Sequence, residues 1–181
     1  TLFFSIYLTQ FLNLSSSELK LEEIIKDLNN PWSFSFITDE NILVTEKSGS
    51  LLKINLTNKK INKFTHNLNI LEDGQGGLLE VLFKDNEIFV SYSENRGNGR
   101  TSTSVAKAST IDNDLIFKNI FRAEPPINSG YHFGSRLVIK DNYLFITVGE
   151  RSKGMIAQDA TKHPGSIVRI HLDGSIPLDN P

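Results

Sequence analysis

The sequence predicts an all-β fold, a β-propeller made of four-stranded antiparallel blades, and three observations carry that prediction. First, one phrase occurs three times, an acidic turn followed by a short apolar strand closing on a hydroxyl: Asp39-Glu-Asn-Ile-Leu-Val-Thr45, Asp85-Asn-Glu-Ile-Phe-Val-Ser91 and Asp141-Asn-Tyr-Leu-Phe-Ile-Thr147. The copies begin 46 and 56 residues apart, a propeller-like period. Second, each copy follows an apolar run (Phe34 to Ile37, Leu78 to Phe83, Leu137 to Ile139), so the unit reads strand, tight turn, strand. Third, one small sheet cannot bury both of its faces alone, so repeated sheets must stack as blades around an axis.

The elements follow in chain order. Glu18 to Leu28 places Leu19, Leu21, Ile24, Ile25 and Leu28 in a pattern that suits either a short helix or an irregular strand. Predicted strands at 32–37, 42–46, 50–56 and 60–65 fill a first blade, with turns at 39–41, 48–49 and 58–59. A second blade takes strands near 78–83, 88–93, 102–109 and 115–121, and its Glu94-Asn-Arg-Gly-Asn-Gly-Arg100 connection reads as a solvated loop. A third starts at Gly134 and reaches at least Ile170 around a long loop, Glu150 to Pro164. About three blades neither seal a ring nor hide the flanking edge strands, so 18–181 is expected to be the leading part of a longer propeller.

Composition narrows the function classes. The 39% hydrophobic and 22% charged content is that of a globular domain. With 19 basic and 21 acidic residues the net charge is −2, and nothing favours a nucleic-acid backbone or an anionic membrane as partner. The absence of cysteine removes disulfides and thiolate metal sites. Leu2 to Leu12 is apolar but too short to span a bilayer, and the small polar stretch Asn13 to Ser17 follows it. Residues 1–17 are therefore expected to be a signal-peptide remnant, and the protein periplasmic or secreted.

Two glycine-rich loops lead directly into the first strand of a blade, Glu72-Asp-Gly-Gln-Gly-Gly77 and Asn128-Ser-Gly-Tyr-His-Phe-Gly-Ser-Arg136. Equivalent loops of successive blades converge near the axis, so Gln75 and His132 are expected to face one pocket although 57 positions apart. A neutral imidazole there can accept a hydroxyl proton, and the Gln75 amide can bind the same hydroxyl. His132 also reads as a loop histidine bonded to backbone, and spacing does not separate the two roles. Arg136 reads as a strand-start arginine paired with a carboxylate, and His66, His163 and His171 as surface or loop residues. No two of the four histidines have metal-ligand spacing.

At these loops the sequence resembles the glucose/sorbosone dehydrogenase family, soluble quinoproteins that oxidise aldoses with pyrroloquinoline quinone on a six-bladed propeller. Collinear segments carry the likeness: Pro31-Trp-Ser-Phe-Ser-Phe with Ile42 to Glu46, Asp73-Gly-Gln-Gly-Gly-Leu-Leu-Glu80, Ser91-Tyr-Ser-Glu94, Ile120 to Pro125 with His132-Phe-Gly-Ser-Arg-Leu137, and Gly149-Glu-Arg151 through Ile167 to Pro181. The resemblance implies that His132 is the base taking the anomeric hydroxyl proton while hydride passes to the quinone, giving a lactone. It implies that Gln75 and Tyr131 contact sugar. Tyr131 stands where the glucose-oxidising branch has aspartate, which implies a broader aldose range, and Ser166 departs from the family's usual lysine. Pyrroloquinoline quinone and Ca2+ are the implied cofactors, and an external electron acceptor the implied partner. The residues that clamp the quinone and hold calcium are expected beyond Pro181, so the 181 residues alone are expected to be inactive. Two other readings remain: a non-catalytic propeller binding module of the same superfamily, and a calcium-dependent lactone hydrolase, which requires carboxylates such as Glu46, Asp73, Glu80 and Glu150 to converge.

Overall fold

A computed structural model describes residues 19–109 and 114–180. The expected signal-peptide remnant lies outside them. Among the described residues no helix is long and apolar enough to cross a membrane.

Three antiparallel sheets form in chain order. The first comprises β1 (Pro31–Thr38), β2 (Asn41–Glu46), β3 (Leu51–Asn55) and β4 (Ile61–His66). Then come β5 (Leu78–Lys84), β6 (Glu87–Asn95) and β7 (Thr101–Ser109); the short β8 (Asp114–Leu115) crosses back to pair in parallel with β4, and β9 (Lys118–Arg122) completes the second sheet against β7. The third sheet consists of β10 (Gly134–Lys140), β11 (Tyr143–Val148) and β12 (Ile167–His171), with a short 3-10 turn (Gly154–Gln158) in the loop before β12.

The repeated phrase is the hairpin from the first to the second strand of each sheet. In the second and third copies the turn residues Asp85 and Asn86 (φ 51° and 63°) and Asp141 and Asn142 (φ 51° and 63°) are left-handed. That is the type I′ geometry matching strand twist, and Asp and Asn adopt it at low cost. The first copy has Glu40 where the others have asparagine and turns without a positive φ. There Thr38 Oγ1 accepts the Glu40 and Asn41 N–H groups, at 3.3 and 3.2 Å, beside a register shift in the ladder.

Strand alternation builds two buried layers. Leu43 and Leu51 of the first sheet pack against Leu78, Val81, Ile88, Val90 and Ala106 of the second. The opposite face of the second sheet, with Phe89 and Val105, packs against Leu137, Leu144, Ile146 and Ile170 of the third. β6 thus lies between two neighbours and is buried from Ile88 to Glu94. At the ends of the stack apolar side chains remain exposed, Phe34 and Phe36 on β1 and Val138 and Ile167 on the third sheet.

The first strands β1, β5 and β10 lie side by side, and the hydroxyl that closes each phrase joins them. Within a sheet it accepts an N–H from the first strand: Ser33 N donates to Thr45 Oγ1 at 3.1 Å, Glu80 N to Ser91 Oγ at 3.0 Å and Arg136 N to Thr147 Oγ1 at 2.9 Å. Between sheets it donates onward: Thr45 Oγ1 to Leu79 O at 2.5 Å and Ser91 Oγ to Ser135 O at 2.6 Å. Side chains run parallel to this backbone seam. The Glu80 carboxylate accepts from Ser33 Oγ at 2.6 Å and from Arg136 Nη1 at 2.5 Å, so Arg136 has the paired, structural role expected of it.

The structure corrects three expectations. The 115–121 segment is not one strand: Leu115 joins the first sheet and only residues 118–122 pair with β7, because Asn67 captures the Phe117 backbone in between through 2.8 and 3.1 Å bonds. Glu94 belongs to β6, not to a solvated loop, and its buried carboxylate binds Ser104 Oγ, Asn119 Nδ2 and Arg122 Nε. Residues 19–28 form neither helix nor strand; Ile25 and Leu28 pack irregularly against Val44, Leu52 and Ile54.

Ser91→Ala leaves a buried N–H and a buried carbonyl unpaired, at about 1–3 kcal/mol for each group. In the natural full-length chain the urea midpoint should fall with an unchanged m-value, and an unchanged midpoint would refute the inter-sheet role of the hydroxyl.

Candidate functional site

The two glycine-rich loops meet above the ends of β5 and β10. Their contact is reciprocal: Gln75 N donates to Gly130 O at 2.6 Å, and His132 N donates to Gln75 Oε1 at 2.9 Å. The approach requires glycine at 74, where φ is +55° and a Cβ would lie 2.4 Å from Gly130 O. Lys47 Nζ holds the first loop from the other side through Gly74 O at 2.5 Å. Gln75 and His132 therefore share one site, as expected. Because a backbone N–H can only donate, the Gln75 oxygen is occupied, and its NH2 is the group left to face a ligand.

His132 has left-handed backbone, φ 53°, a conformation histidine tolerates better than most residues but one that tertiary contacts must hold. Those contacts come from the turn after β11. Gly149 approaches so closely that a Cβ there would sit 1.9 Å from His132 O, and its N–H donates to Phe133 O at 3.0 Å. Glu150 Oε1 lies 2.5 Å from His132 Nδ1. The hydrogen bond from His132 holds the Glu150 carboxyl below the usual carboxylate range, so it is an anion at neutral pH and can only accept. In the neutral imidazole the proton is therefore on Nδ1, and Nε2 then presents a lone pair from a half-exposed ring. A carboxylate-oriented imidazole of this kind is a general base for a hydroxyl. Tyr131 is 56% exposed, with its ring edge-on to His132 at 6.4 Å between centroids, placing an aromatic surface beside the base.

Arg151 is the largest side chain buried in the described chain, at 2% exposure. It donates to Tyr131 O at 2.9 Å, to Thr101 Oγ1 at 2.7 Å and to Ser129 O, and it stacks 3.6 Å from the Phe133 ring centroid. Burial lowers its pKa to about 10, which leaves it a cation at neutral pH.

Of the other carboxylates, Asp73 packs against Gly130 where the two loops touch, whereas Glu46 and Glu80 do not join this site. Glu46 accepts Asn29 N–H at 2.7 Å, and Glu80 is held by Ser33 and Arg136. No group of three or more His, Asp and Glu side chains among the described residues is arranged to hold a metal ion. His66 ends β4 and binds Gly49 O at 2.7 Å, His171 ends β12, and only His163, which accepts Glu124 N–H at 2.9 Å, lies in a loop as expected. Sequence reasoning assigned Glu150 only to a possible carboxylate cluster and gave Arg151 no role. A signal for Glu150 was present, since an acid follows the closing hydroxyl by three residues in two copies, Ser91 to Glu94 and Thr147 to Glu150.

The chain is similar to known proteins over nearly all of its length. Residues 28–181 match the family described as Glucose / Sorbosone dehydrogenase. The aldose sugar dehydrogenase YliI of Escherichia coli is 34% identical over 171 residues, covering 88% of this chain and 46% of its own. The crystal structure of the soluble aldose sugar dehydrogenase from Escherichia coli in the apo-form superposes with a TM-score of 0.80 at 34% identity, over 85% of this chain and 47% of that one. At 19% identity, the PQQ-bound aldose sugar dehydrogenase of Streptomyces coelicolor shares the fold, with a TM-score of 0.75 over 89% of this chain and 50% of that one. The chain thus spans about half the length of these relatives. The antiparallel sheets of this chain share the fold of these enzymes, and the chain belongs to the glucose/sorbosone dehydrogenase family.

Proposed function

We propose that the protein oxidises the anomeric carbon of aldoses to lactones, with pyrroloquinoline quinone as its cofactor and an external acceptor taking the electrons. The observation that carries this reading is the His132–Glu150 pair beside Gln75. With Nδ1 protonated and bound to Glu150, Nε2 removes the proton of the anomeric hydroxyl, and the developing imidazolium is stabilised by the carboxylate. The C1 hydrogen leaves with its electron pair as the C1–O bond becomes a carbonyl. The Gln75 NH2 donates to a sugar oxygen and Tyr131 covers one side of the ring. Bound pyrroloquinoline quinone supplies the hydride acceptor, and Ca2+ a polarising charge on it.

The chain's own groups fit the sugar side of this chemistry: a basic imidazole nitrogen, amide donors and an aromatic surface. Ligands for calcium and cationic clamps for the quinone are proposed to come from blades outside residues 1–181, within a six-bladed ring of which this chain supplies about three. The exposed Phe34, Phe36, Val138 and Ile167 at the two ends of the stack support further blades. Tyr131 in place of an acid supports a broad aldose range. An exported protein, periplasmic or secreted, is proposed from the apolar first segment.

Dye-linked oxidation of an aldose panel by the natural full-length protein, with quinone and calcium supplied, tests the reading. His132→Ala should lower kcat/KM by at least roughly a hundredfold, the scale of general-base catalysis. Oxidation at an unchanged rate in the variant would remove His132 from the reaction.

Glu150 gives a pH prediction. Its folded pKa lies below its unfolded one, so the stability it contributes is present above the ordinary carboxylate range and is lost as pH falls through the lowered value. In urea unfolding at stepped pH, Glu150→Gln should lose less stability than the wild type on acidification across that window. Parallel curves for the two proteins would show that the pair is not coupled to folding.

A further inference from the structure

Three consecutive residues after β11 grip the loop that carries His132, each at a different point. Gly149 meets the His132 carbonyl, Glu150 takes the imidazole Nδ1, and Arg151 binds carbonyls on the N-terminal side of His132 while stacking on the residue that follows it. We infer that Arg151 is a positioning residue for the His132–Glu150 pair: its guanidinium ties Ser129 O and Tyr131 O to Thr101 of β7 and caps Phe133, so that the imidazole can reach Glu150 only in the orientation that leaves Nε2 free. The inference rests on the function proposed above.

The bonding pattern separates this role from general packing. All of the acceptors of Arg151 are uncharged oxygens, namely Ser129 O, Tyr131 O, Thr101 O and Thr101 Oγ1. A buried guanidinium that no carboxylate hydrogen-bonds, with only the nearby charge of Glu150 to offset its burial, is costly to keep, and an apolar side chain would fill the same volume more cheaply. What an apolar residue would not do is bridge two strands of backbone with a rigid planar fork. Two of the bridged carbonyls, Ser129 O and Tyr131 O, lie on the N-terminal side of the left-handed His132, and the stacked ring of Phe133 lies on its C-terminal side. Without the fork Tyr131 O would lose its donor, Ser129 O would keep only a 3.4 Å bond from Thr101 Oγ1, and the left-handed turn would lose its support. Tyr131, whose carbonyl is one of those held, would lose its fixed place at the mouth of the site as well.

Arg151→Lys in the natural full-length protein tests the inference, because lysine keeps the charge but cannot bond Ser129, Tyr131 and Thr101 together. At saturating aldose, kcat should fall roughly tenfold or more with KM changed by less than about threefold, since a displacement of about 1 Å in a reacting group can cost up to about a hundredfold. The second readout needs neither cofactor nor sugar. With 15N-labelled histidine, the His132 ring, identified by its loss in His132→Ala, should show the Nδ1-protonated tautomer in the wild type and a mixture in Arg151→Lys. Leu144→Ala, a core cavity in the third sheet remote from the loop, supplies a destabilised control that should keep the wild-type kcat and tautomer. If Arg151→Lys fails to fold, Thr101→Val, which frees one corner of the guanidinium, carries the same tautomer test. A variant that loses only thermal stability while kcat and tautomer stay as in the wild type overturns the inference, as does an equal kcat loss in Leu144→Ala. A wild type that oxidises no aldose would defeat the proposed function, and the tautomer comparison would still decide the role of Arg151.

Discussion

The placement of everything else depends on one hydrogen-bond seam, the serine and threonine hydroxyls that join the first strands of successive sheets. Thr45 and Ser91 each accept an N–H from their own sheet and donate to a carbonyl of the next, so one side chain satisfies two buried backbone groups and fixes the offset between sheets. Apolar packing supplies most of the attraction between the sheets, but it is non-directional and tolerates sliding. The hydroxyls do not. Sliding by one residue would unpair a donor and an acceptor in the dry layer between sheets. The Ser33–Glu80–Arg136 row adds a second constraint along the same line.

With the first strands fixed, the loops that precede them are fixed too, and that is how Gln75 and His132 come within hydrogen-bond distance. The site is then built mainly from backbone. Glycines at 74 and 149 let chain segments touch, and across the loops Gln75 N donates to Gly130 O while His132 N donates to the Gln75 side-chain oxygen. Side chains enter where orientation matters, Glu150 on the imidazole and Arg151 on the carbonyls around it. Such a division suits a base that must hold one tautomer while its ring stays open to a substrate.

Much of this was legible along the chain, for physical reasons that differ from element to element. The hairpins were readable because a half-buried strand alternates with period two, and Asp-Asn demands a left-handed turn. The convergence of Gln75 and His132 followed from the repeat, since equivalent loops of equivalent sheets point the same way. Arg136 was assigned its partner type correctly because an exposed arginine near the start of a strand can reach a carboxylate on the strand beside it. Other features were hidden. Leu115 crosses to the first sheet because Asn67, 50 positions away, captures the Phe117 backbone, and no local pattern reports that. Glu94 sits in a polar, glycine-containing stretch, yet its carboxylate is buried by Arg122, Asn119 and Ser104 from other strands. Arg151 looks like any loop arginine until Thr101, Ser129 and Tyr131 are seen around it.

By itself, then, the sequence determined the sheet-forming segments, their repeat and the glycine-rich loops that lead into them, because strand alternation, turn chemistry and glycine placement act over a few residues. Only the tertiary structure decided which atom of Gln75 is free, which nitrogen of His132 is basic and which neighbours enforce that choice. Those outcomes depend on hydrogen bonds between residues 18 to 57 positions apart, set by the stacking of sheets and not by any neighbour in the chain.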